Sequence, residues 1–445
     1  MKNVLRFLFI LCNFVLLFAV QAFSQNVSIS ADIRPRAELM YGYKVPPDTS
    51  SKPQYILSQR TRLNAFYSTD RFKANISLQD ARVWGDEVVA TDVPSIGVHE
   101  AWAQYNFCKQ VGLKVGRQEF VYDNKRLLTD GAWIQQGRAW DAAVLKLALK
   151  RGWRVDAAGS FNQQTITFFG TYYTLANPKT LDFLWINKSK TDSIHHYKYS
   201  VSGIMLGDGW QTQDTSGVEM RWTYGINSSL NHGTWGLNLE AYGQSGKTRT
   251  YNQSGFIVPD SFQTVKAYMF SVNPWIAPWK NFQIGAGIDY LSGSDALDTS
   301  SHGITRMFNP QFGATHKYYG KIDIFFNLPA DTRNGGLVDG YINGKYTYQK
   351  WDFNFEYHYF ALQNNVEDVE NPGNALKKPL GSEFDLIVIK DITPSVNINT
   401  GFGVFFPTRS MEFVKTATFS QIGSPTVTGY WAYVMLTFHP VFFSK

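Results

Sequence analysis

Long segments of this chain alternate between apolar and polar residues, and this alternation constrains the fold more than any other feature. From Val27 to Leu39 one face is almost entirely apolar and the other is polar or charged. Successive side chains of a strand point to opposite faces, so the pattern predicts a strand with one apolar face. Similar segments cover residues 235–241, 284–290, 351–359, 396–406 and 430–438. The longest reach the roughly nine to eleven residues of a tilted membrane strand, whereas soluble strands usually have about five or six.

Strands of this length and pattern suit a barrel whose apolar face meets lipid and whose polar face lines a watery lumen. We therefore predict an all-β protein, a transmembrane antiparallel β-barrel of about 16 to 18 strands. Short and long connections alternate over the early chain, as periplasmic turns and outer loops do in bacterial barrels. The same pattern predicts that residues 163–196 form the longest outer loop and residues 362–380 another.

The N-terminus has the composition of a secretory signal peptide. Two basic residues precede an apolar run from Phe7 to Val20, and small residues stand before Gln25. We therefore expect residues 1–24 to be a signal peptide and residues 25–445 to form a single barrel domain. The expected location is the outer membrane of a Gram-negative bacterium.

Charge and motif content argue against several other functions. The formal net charge is only +6, and the basic residues are interleaved with acids, so nucleic acid is not expected as a partner. Cys108 is the one cysteine left after signal cleavage, which excludes an intrachain disulfide. The chain has no G-x-S-x-G motif, and His99-Glu100 lacks a second histidine four residues later. We therefore expect no metal, no cofactor and no catalytic residues.

Arginine is concentrated in the first third of the mature chain, where 11 of its 16 arginines lie between Arg34 and Arg154. Strand parity places four of these on the lumen face: Arg34, Arg36, Arg60 and Arg62. Guanidinium groups keep their charge and suit carboxylates and phosphates, so such a wall would attract an anionic solute. Interspersed acids leave open that these arginines only form pairs that hold the wall. Parity turns Arg117 towards lipid, so we expect a bulge or a strand end near Gly116.

Several phrases in the sequence resemble those of the bacterial alginate export porins. They are found, in order, at residues 79–86 (QDARVWGD), 115–119 (VGRQE), 126–128 (RLL), 137–141 (GRAWD), 308–310 (FNP), 316–320 (HKYYG) and 381–385 (GSEFD). The resemblance implies an 18-stranded monomeric barrel with an arginine-lined constriction that exports an anionic uronic-acid polymer. One departure is at the C-terminus, where Phe438 is followed by His439 to Lys445 and does not end the chain.

Matching motif positions place four arginines nearest the implied conduit: Arg82, Arg117, Arg126 and Arg138. The expected ion-pair partners are Glu119, Asp141 and Asp80. The expected partners of the whole barrel are the outer-membrane bilayer, the barrel assembly machinery, an anionic polysaccharide or small anions, and periplasmic secretion proteins. A general or anion-preferring nutrient porin is the close alternative, and a barrel enzyme or a structural or adhesive barrel is a third.

Overall fold

The computed structural model describes residues 25–445 apart from 91–94, 164–165, 167, 169–176, 195, 212–216, 252–256, 299, 301–302 and 417–426. The expected signal peptide, residues 1–24, therefore lies outside the described residues. Among the described residues, no helix is long and apolar enough to cross a membrane.

Strands account for most of the described chain. They are β1 Asn26–Tyr41, β2 Gln54–Ser68, β3 Phe72–Val83, β4 Gly97–Asn106, β5 Val111–Gln118, β6 Trp140–Ala148, β7 Trp153–Phe161, β8 Thr180–Asp192, β9 Tyr197–Gln211, β10 Val218–His232, β11 Trp235–Tyr251, β12 Ile257–Trp279, β13 Phe282–Leu291, β14 Ile304–Thr305, β15 Leu337–Tyr348, β16 Trp351–Leu362, β17 Pro379–Thr393, β18 Val396–Pro407, β19 Gly429–Phe438 and β20 Val441–Ser444. One α-helix, α1 Arg409–Thr416, and three 3₁₀ turns at Lys150–Gly152, Thr315–Lys317 and Ala330–Thr332 are also present.

Each long strand pairs antiparallel with the next long strand, and the last returns to the first. β19 pairs with β1, with Ile33 opposite Phe438 and Tyr41 opposite Tyr430. β13 pairs directly with β15, while short β14 lies beside β12 and short β20 beside β1. The long strands form a closed antiparallel barrel of 18 strands, which confirms the predicted fold class. The extra residues after Phe438 add β20 to the edge of β1, and β19 is the strand that closes the barrel.

The two faces of the wall differ as the alternation predicts. Ile226, Ile342 and Tyr357 point outward and are 54%, 49% and 46% exposed, as lipid-facing side chains of an isolated barrel would be. Asn227, next to Ile226, is buried on the inner face. A closed barrel pairs its backbone groups within the wall, so an apolar outer surface can lie against hydrocarbon.

One loop prediction was wrong, because part of the predicted outer loop at residues 163–196 is strand β8. Leu181, Phe183 and Trp185 alternate on the lumen face of β8, although that face is usually polar. They pack against Phe120 and Tyr122 of an inward-folded loop, with ring centroids 4.9 to 5.1 Å apart for Tyr122–Phe183, Phe120–Phe183 and Tyr122–Trp185. Residues 183–186 of β8 are therefore apolar on both faces, and the alternation that marks other strands is absent there.

Two connections fold into the lumen. The first lumen loop is residues 119–139, between β5 and β6, and the second lumen loop is residues 303–336, between β13 and β15. They meet where Trp133 stacks on His316 with ring centroids 3.8 Å apart, and both rings pack edge-on against Trp431 of β19. The lumen therefore contains a packed interior.

Candidate conduit in the lumen

Arg34 and Arg36 of β1 hold the first lumen loop against the wall. The Arg34 guanidinium donates to the carbonyl of Ala132 at 2.6 Å and to the side chain of Gln135 at 2.9 and 3.1 Å. Arg36 donates to the carbonyl of Trp133 at 2.8 Å and lies over its ring. Both arginine side chains are buried, so in this conformation they bind protein groups and not solute.

Arg126 is the main tie across the lumen. It comes from the first lumen loop and reaches the opposite wall, where it pairs with Asp289 of β13 at 2.7 Å and Glu240 of β11 at 3.1 Å. Its guanidinium also donates to the hydroxyl of Tyr319 and lies 3.5 Å from the ring centre of Tyr318. The Arg126 side chain is only 2% exposed. A charge-assisted network of this kind is expected to hold both lumen loops in one arrangement.

Two further arginines pair with acids along the inner wall. Arg60 binds Asp32 at 2.9 Å, and Arg62 pairs with Glu119 at 3.4 Å and also donates to Gln79. The Arg60 and Arg62 side chains are 7% and 13% exposed. The pair of Arg62 with Glu119 links the strand face to the start of the first lumen loop.

Arg82 lies near the far end of β3. It pairs with Asp80 at 2.7 Å and Glu87 at 2.8 Å, and its side chain is 30% exposed. Arg82 has the same strand parity as Ile76 and Leu78, which are 53% and 38% exposed on the outer face, so it lies on the outer face near the end of β3 and not in the lumen.

Arg117 lies on the outer face, where strand parity places it, and not in the lumen. It shares that face with Val115, which is 48% exposed, and pairs with Asp141 at 3.0 Å. β5 ends one residue later, at Gln118, so the pair lies at the rim of the wall. Gly116 adopts a φ of +121°, and a Cβ there would meet the carbonyl oxygen of Ala101 at 2.3 Å.

Arg138 connects the two lumen loops. It leaves the first lumen loop and donates to the carbonyl of Phe312 in the second. Burial lowers the pKa of Arg138, because its guanidinium has lost most of its surrounding water. Its contact is thus to protein backbone inside the packed interior.

A cavity of about 1300 Å³ lies beneath the first lumen loop. Residues of the short β2–β3 and β4–β5 turns line it, so it reaches the end of the barrel that carries the short turns. In bacterial barrels that end faces the periplasm. We call this cavity the vestibule. Its basic lining residues are Arg71, Lys73, Lys109, Lys114, Lys146 and Arg154, and its acidic ones are Asp70, Glu119, Asp123 and Asp156.

Most of the basic residues that line the vestibule are lysines, which a search for arginine does not find. Lys114 lies between Leu113 and Val115, and Lys146 lies between Leu145 and Leu147. The same parity rule that placed Arg34 in the lumen would have placed these lysines there. The signal was therefore present in the sequence, in the lysines of β5 and β6.

Lys317, in the second lumen loop, makes the channel's charge sensitive to pH. Loss of surrounding water, together with the positive charge of Arg126, lowers the pKa of Lys317 to about 8; Glu240 opposes this shift, while Lys321 and Lys125 add to it. The ammonium is charged below this pKa and neutral above it. We expect anion preference in planar bilayers to fall between pH 7 and pH 9. In Lys317→Arg the preference should fall less over that interval than in the wild type, and a pH profile identical to that of the wild type would contradict the assignment to Lys317.

A closed barrel with a lipid-compatible outer face and a polar lumen is the architecture of an outer-membrane channel. The sequence matches the model of the alginate export family over residues 25–418, and the chain belongs to that family. The protein is thus a porin-type β-barrel of the outer membrane, embedded in its bilayer. No curated protein matches the sequence at a significant level.

Solved outer-membrane barrels share this fold at low sequence identity. OccAB4 of Acinetobacter baumannii aligns with a TM-score of 0.59 and 10% identity, over 95% of this chain and 99% of that chain. OccK9 (OpdG) of Pseudomonas aeruginosa aligns with a TM-score of 0.56 and 11% identity, over 93% and 98%. The outer membrane protein OpdK of Pseudomonas aeruginosa aligns with a TM-score of 0.55 and 8% identity, over 94% and 99%.

Proposed function

We propose that this channel carries an anionic saccharide, of the uronic-acid polymer class to which alginate belongs, across the outer membrane. The observation that carries the proposal is the vestibule, a large cavity at the short-turn end with six basic and four acidic side chains in its lining. Membership of the alginate export family supports the same substrate class.

Three of the vestibule cations suit capture of a solute because they are not in ion pairs, whereas Lys146 pairs with Asp156. Among the described residues, no acidic group lies within ion-pair distance of Arg71, Lys73 or Lys109. A recess with low-dielectric walls and an excess of one charge focuses its field and concentrates the opposite ion. Carboxylates spaced along a polymer would meet several such cations at once.

In this proposal most of the arginines that were predicted to line the conduit bind protein groups and not solute. Five of them hold the lumen loops that shape the passage, namely Arg34, Arg36, Arg62, Arg126 and Arg138. Arg60 joins β2 to β1 through Asp32. Arg82 lies on the outer face with Asp80 and takes no part in the passage that we propose. Arg117 and Asp141 contribute a rim pair on the outer face.

We also propose partners for the barrel. We expect the barrel assembly machinery to insert the chain as a monomer, and periplasmic secretion proteins to deliver polymer at the vestibule. A general or anion-preferring nutrient porin is the alternative function, since a basic recess attracts small anions as well.

Charge removal at the vestibule mouth tests the proposal. Replacing Arg71 and Lys73 together by Gln is expected to lower the anion-to-cation permeability ratio to about half, because the focused field weakens. Block of the current by short uronic-acid oligomers should weaken with it. The matched control replaces Lys188 and Lys390 by Gln, which removes equal charge from outward positions beside Trp153 and Trp351.

The outcomes separate the candidate functions. Block by uronic-acid oligomers but not by neutral glucose oligomers of equal length supports a saccharide channel selective for anions. Anion preference without block by either oligomer supports the small-anion porin. Equal loss of preference in the vestibule variant and in the control variant would contradict a role for the vestibule.

A further inference from the structure

Four carboxylates and one histidine converge on the inner wall opposite the vestibule. Glu356 and His358 lie on β16, and Glu383 and Asp385 lie directly across from them on β17, His358 opposite Glu383 and Glu356 opposite Asp385. The ligand atoms of Glu356, His358 and Asp385 all lie within 4.8 Å of one another. We propose that these three residues, with Glu383 beside them, form a binding site for one divalent transition-metal ion, with Zn²⁺ the best fit.

The histidine of this group is oriented as a metal ligand. His358 Nδ1 lies 2.9 Å from Asp339 Oδ1, so the ring N–H is donated to that carboxylate, and Nε2 is turned towards Glu356 Oε2 at 3.2 Å. Metal-bound histidines almost always donate their second ring nitrogen in this way. A separation of 3.2 Å suits two ligands that each stand about 2.0 to 2.2 Å from one zinc ion.

Two buried oxygens of the cluster lack a hydrogen-bond partner among the described residues. They are Glu383 Oε2 and Asp385 Oδ1, on side chains that are 0% and 1% exposed. The second lumen loop satisfies other oxygens of these residues, because Ile322 N donates to Glu383 Oε1 at 2.8 Å and Lys321 N donates to Asp385 Oδ2 at 3.3 Å. An unsatisfied buried carboxylate oxygen is costly, and a bound cation removes that cost.

The negative net charge of the cluster also favours a bound cation. Asp339, Glu356, Glu383 and Asp385 supply four carboxylates, while Lys321 supplies one ammonium and His358 is neutral when its Nε2 binds a metal. Buried charges are tolerated when they are paired or coordinate a metal. A divalent ion would offset two of the three remaining negative charges, and the partly exposed Glu356 side chain gives it access from the lumen.

The donor set selects the class of metal. An imidazole nitrogen with carboxylate oxygens suits Zn²⁺ and related transition ions, whereas Mg²⁺ and Ca²⁺ prefer oxygen alone. Lys321, whose Nζ lies 2.8 Å from Glu356 Oε2, competes with the metal for this carboxylate. The site would join β16 and β17 to the second lumen loop, because that loop supplies the backbone N–H groups that bind Glu383 and Asp385.

The direct test uses the folded, wild-type barrel in detergent. After equilibration with Zn²⁺ and gel filtration, elemental analysis should find one zinc per chain, and X-ray absorption at the zinc edge should show one nitrogen and two or three oxygen ligands. Calorimetric titration with Zn²⁺ should give one site that Mg²⁺ does not displace. Absence of bound zinc in the wild type, as when the carboxylates share a proton, would overturn the proposal.

Variants assign the ligands and the supporting residues. His358→Gln should abolish the site, and Asp339→Asn should weaken zinc affinity about 10- to 100-fold, since it only orients the histidine. Lys321→Met should tighten binding by removing the competing ammonium. The matched control is His316→Gln, because His316 is also a lumen histidine held by a carboxylate, Asp323 at 2.9 Å.

Heat-modifiable mobility on gels confirms that each variant has folded before its zinc is measured. Zinc that binds equally to wild type and to folded His358→Gln would refute the site. So would loss of zinc from His316→Gln to the same extent as from His358→Gln.

Discussion

Arg126→Met is expected to detach the first lumen loop and raise the single-channel conductance. The substitution leaves Glu240 and Asp289 as buried carboxylates without their cation. Breaking a buried pair on one side costs about 3 to 5 kcal/mol, because the remaining charge is uncompensated. The loops can relieve that cost by moving apart and admitting water. Conductance in planar bilayers and proteolysis of loop 119–139 in the folded barrel measure the release.

A compensated variant serves as the control for this prediction. Arg126→Met combined with Glu240→Gln and Asp289→Asn removes the two buried negative charges together with their cation. Compared with Arg126→Met alone, the first lumen loop should be packed in a larger fraction of channels, and the conductance should be closer to that of the wild type. If Arg126→Met alone conducts like wild type and its loop resists protease, Arg126 does not hold the interior together.

Ile226→Arg is expected to reduce folded barrel strongly, while Ser229→Arg on the same strand is tolerated. Ile226 lies near the middle of β10 on the outer face, and an arginine near the bilayer midplane of a barrel costs about 2 to 4 kcal/mol. Ser229 lies on the lumen face, directly opposite Ser200, a vestibule residue. Folded yield in vesicles, scored by heat-modifiable mobility, measures the difference.

Equal yields from these two variants would contradict the assignment of the two faces of β10, and a higher yield from Ile226→Arg would mean that the outer and inner faces have been exchanged. The comparison is sensitive because adjacent side chains of a strand point into opposite media, so a shift of one residue reverses the expected result.

The barrel could be predicted from the sequence wherever the two faces of a strand meet different media. β1 and β16 show this pattern in their side chains, and both were identified. β8 was missed because its lumen face carries apolar rings that pack against Phe120 and Tyr122. The middle of this strand therefore lacks the alternation of apolar and polar residues. The inward course of the first lumen loop follows from contacts across the lumen, which local periodicity does not encode.

Strand parity predicted which way the arginines of the first strands face, but it did not predict their partners. Parity placed Arg34 and Arg60 on the inner face, where the structure has them. Their partners, such as Gln135, come from a loop about 100 residues away in sequence, so pairing could not be read from spacing. The cluster that we propose as a metal site was not predicted, for the same reason. Its ligands lie on two strands, and only the register of His358 opposite Glu383 brings them together.

The pairing of β20 with β1 brings the N-terminal and C-terminal strands together. The order of strands around the barrel therefore does not depend on which strand comes first in the chain. Val27 and Lys445 exchange two backbone hydrogen bonds of 3.0 Å, so the two ends of the described chain lie side by side at the short-turn end. A short linker could join them without crossing the lumen, and new ends could be opened at a tight turn such as Gly233–Thr234. A circularly permuted chain would then build the same wall from a different first strand.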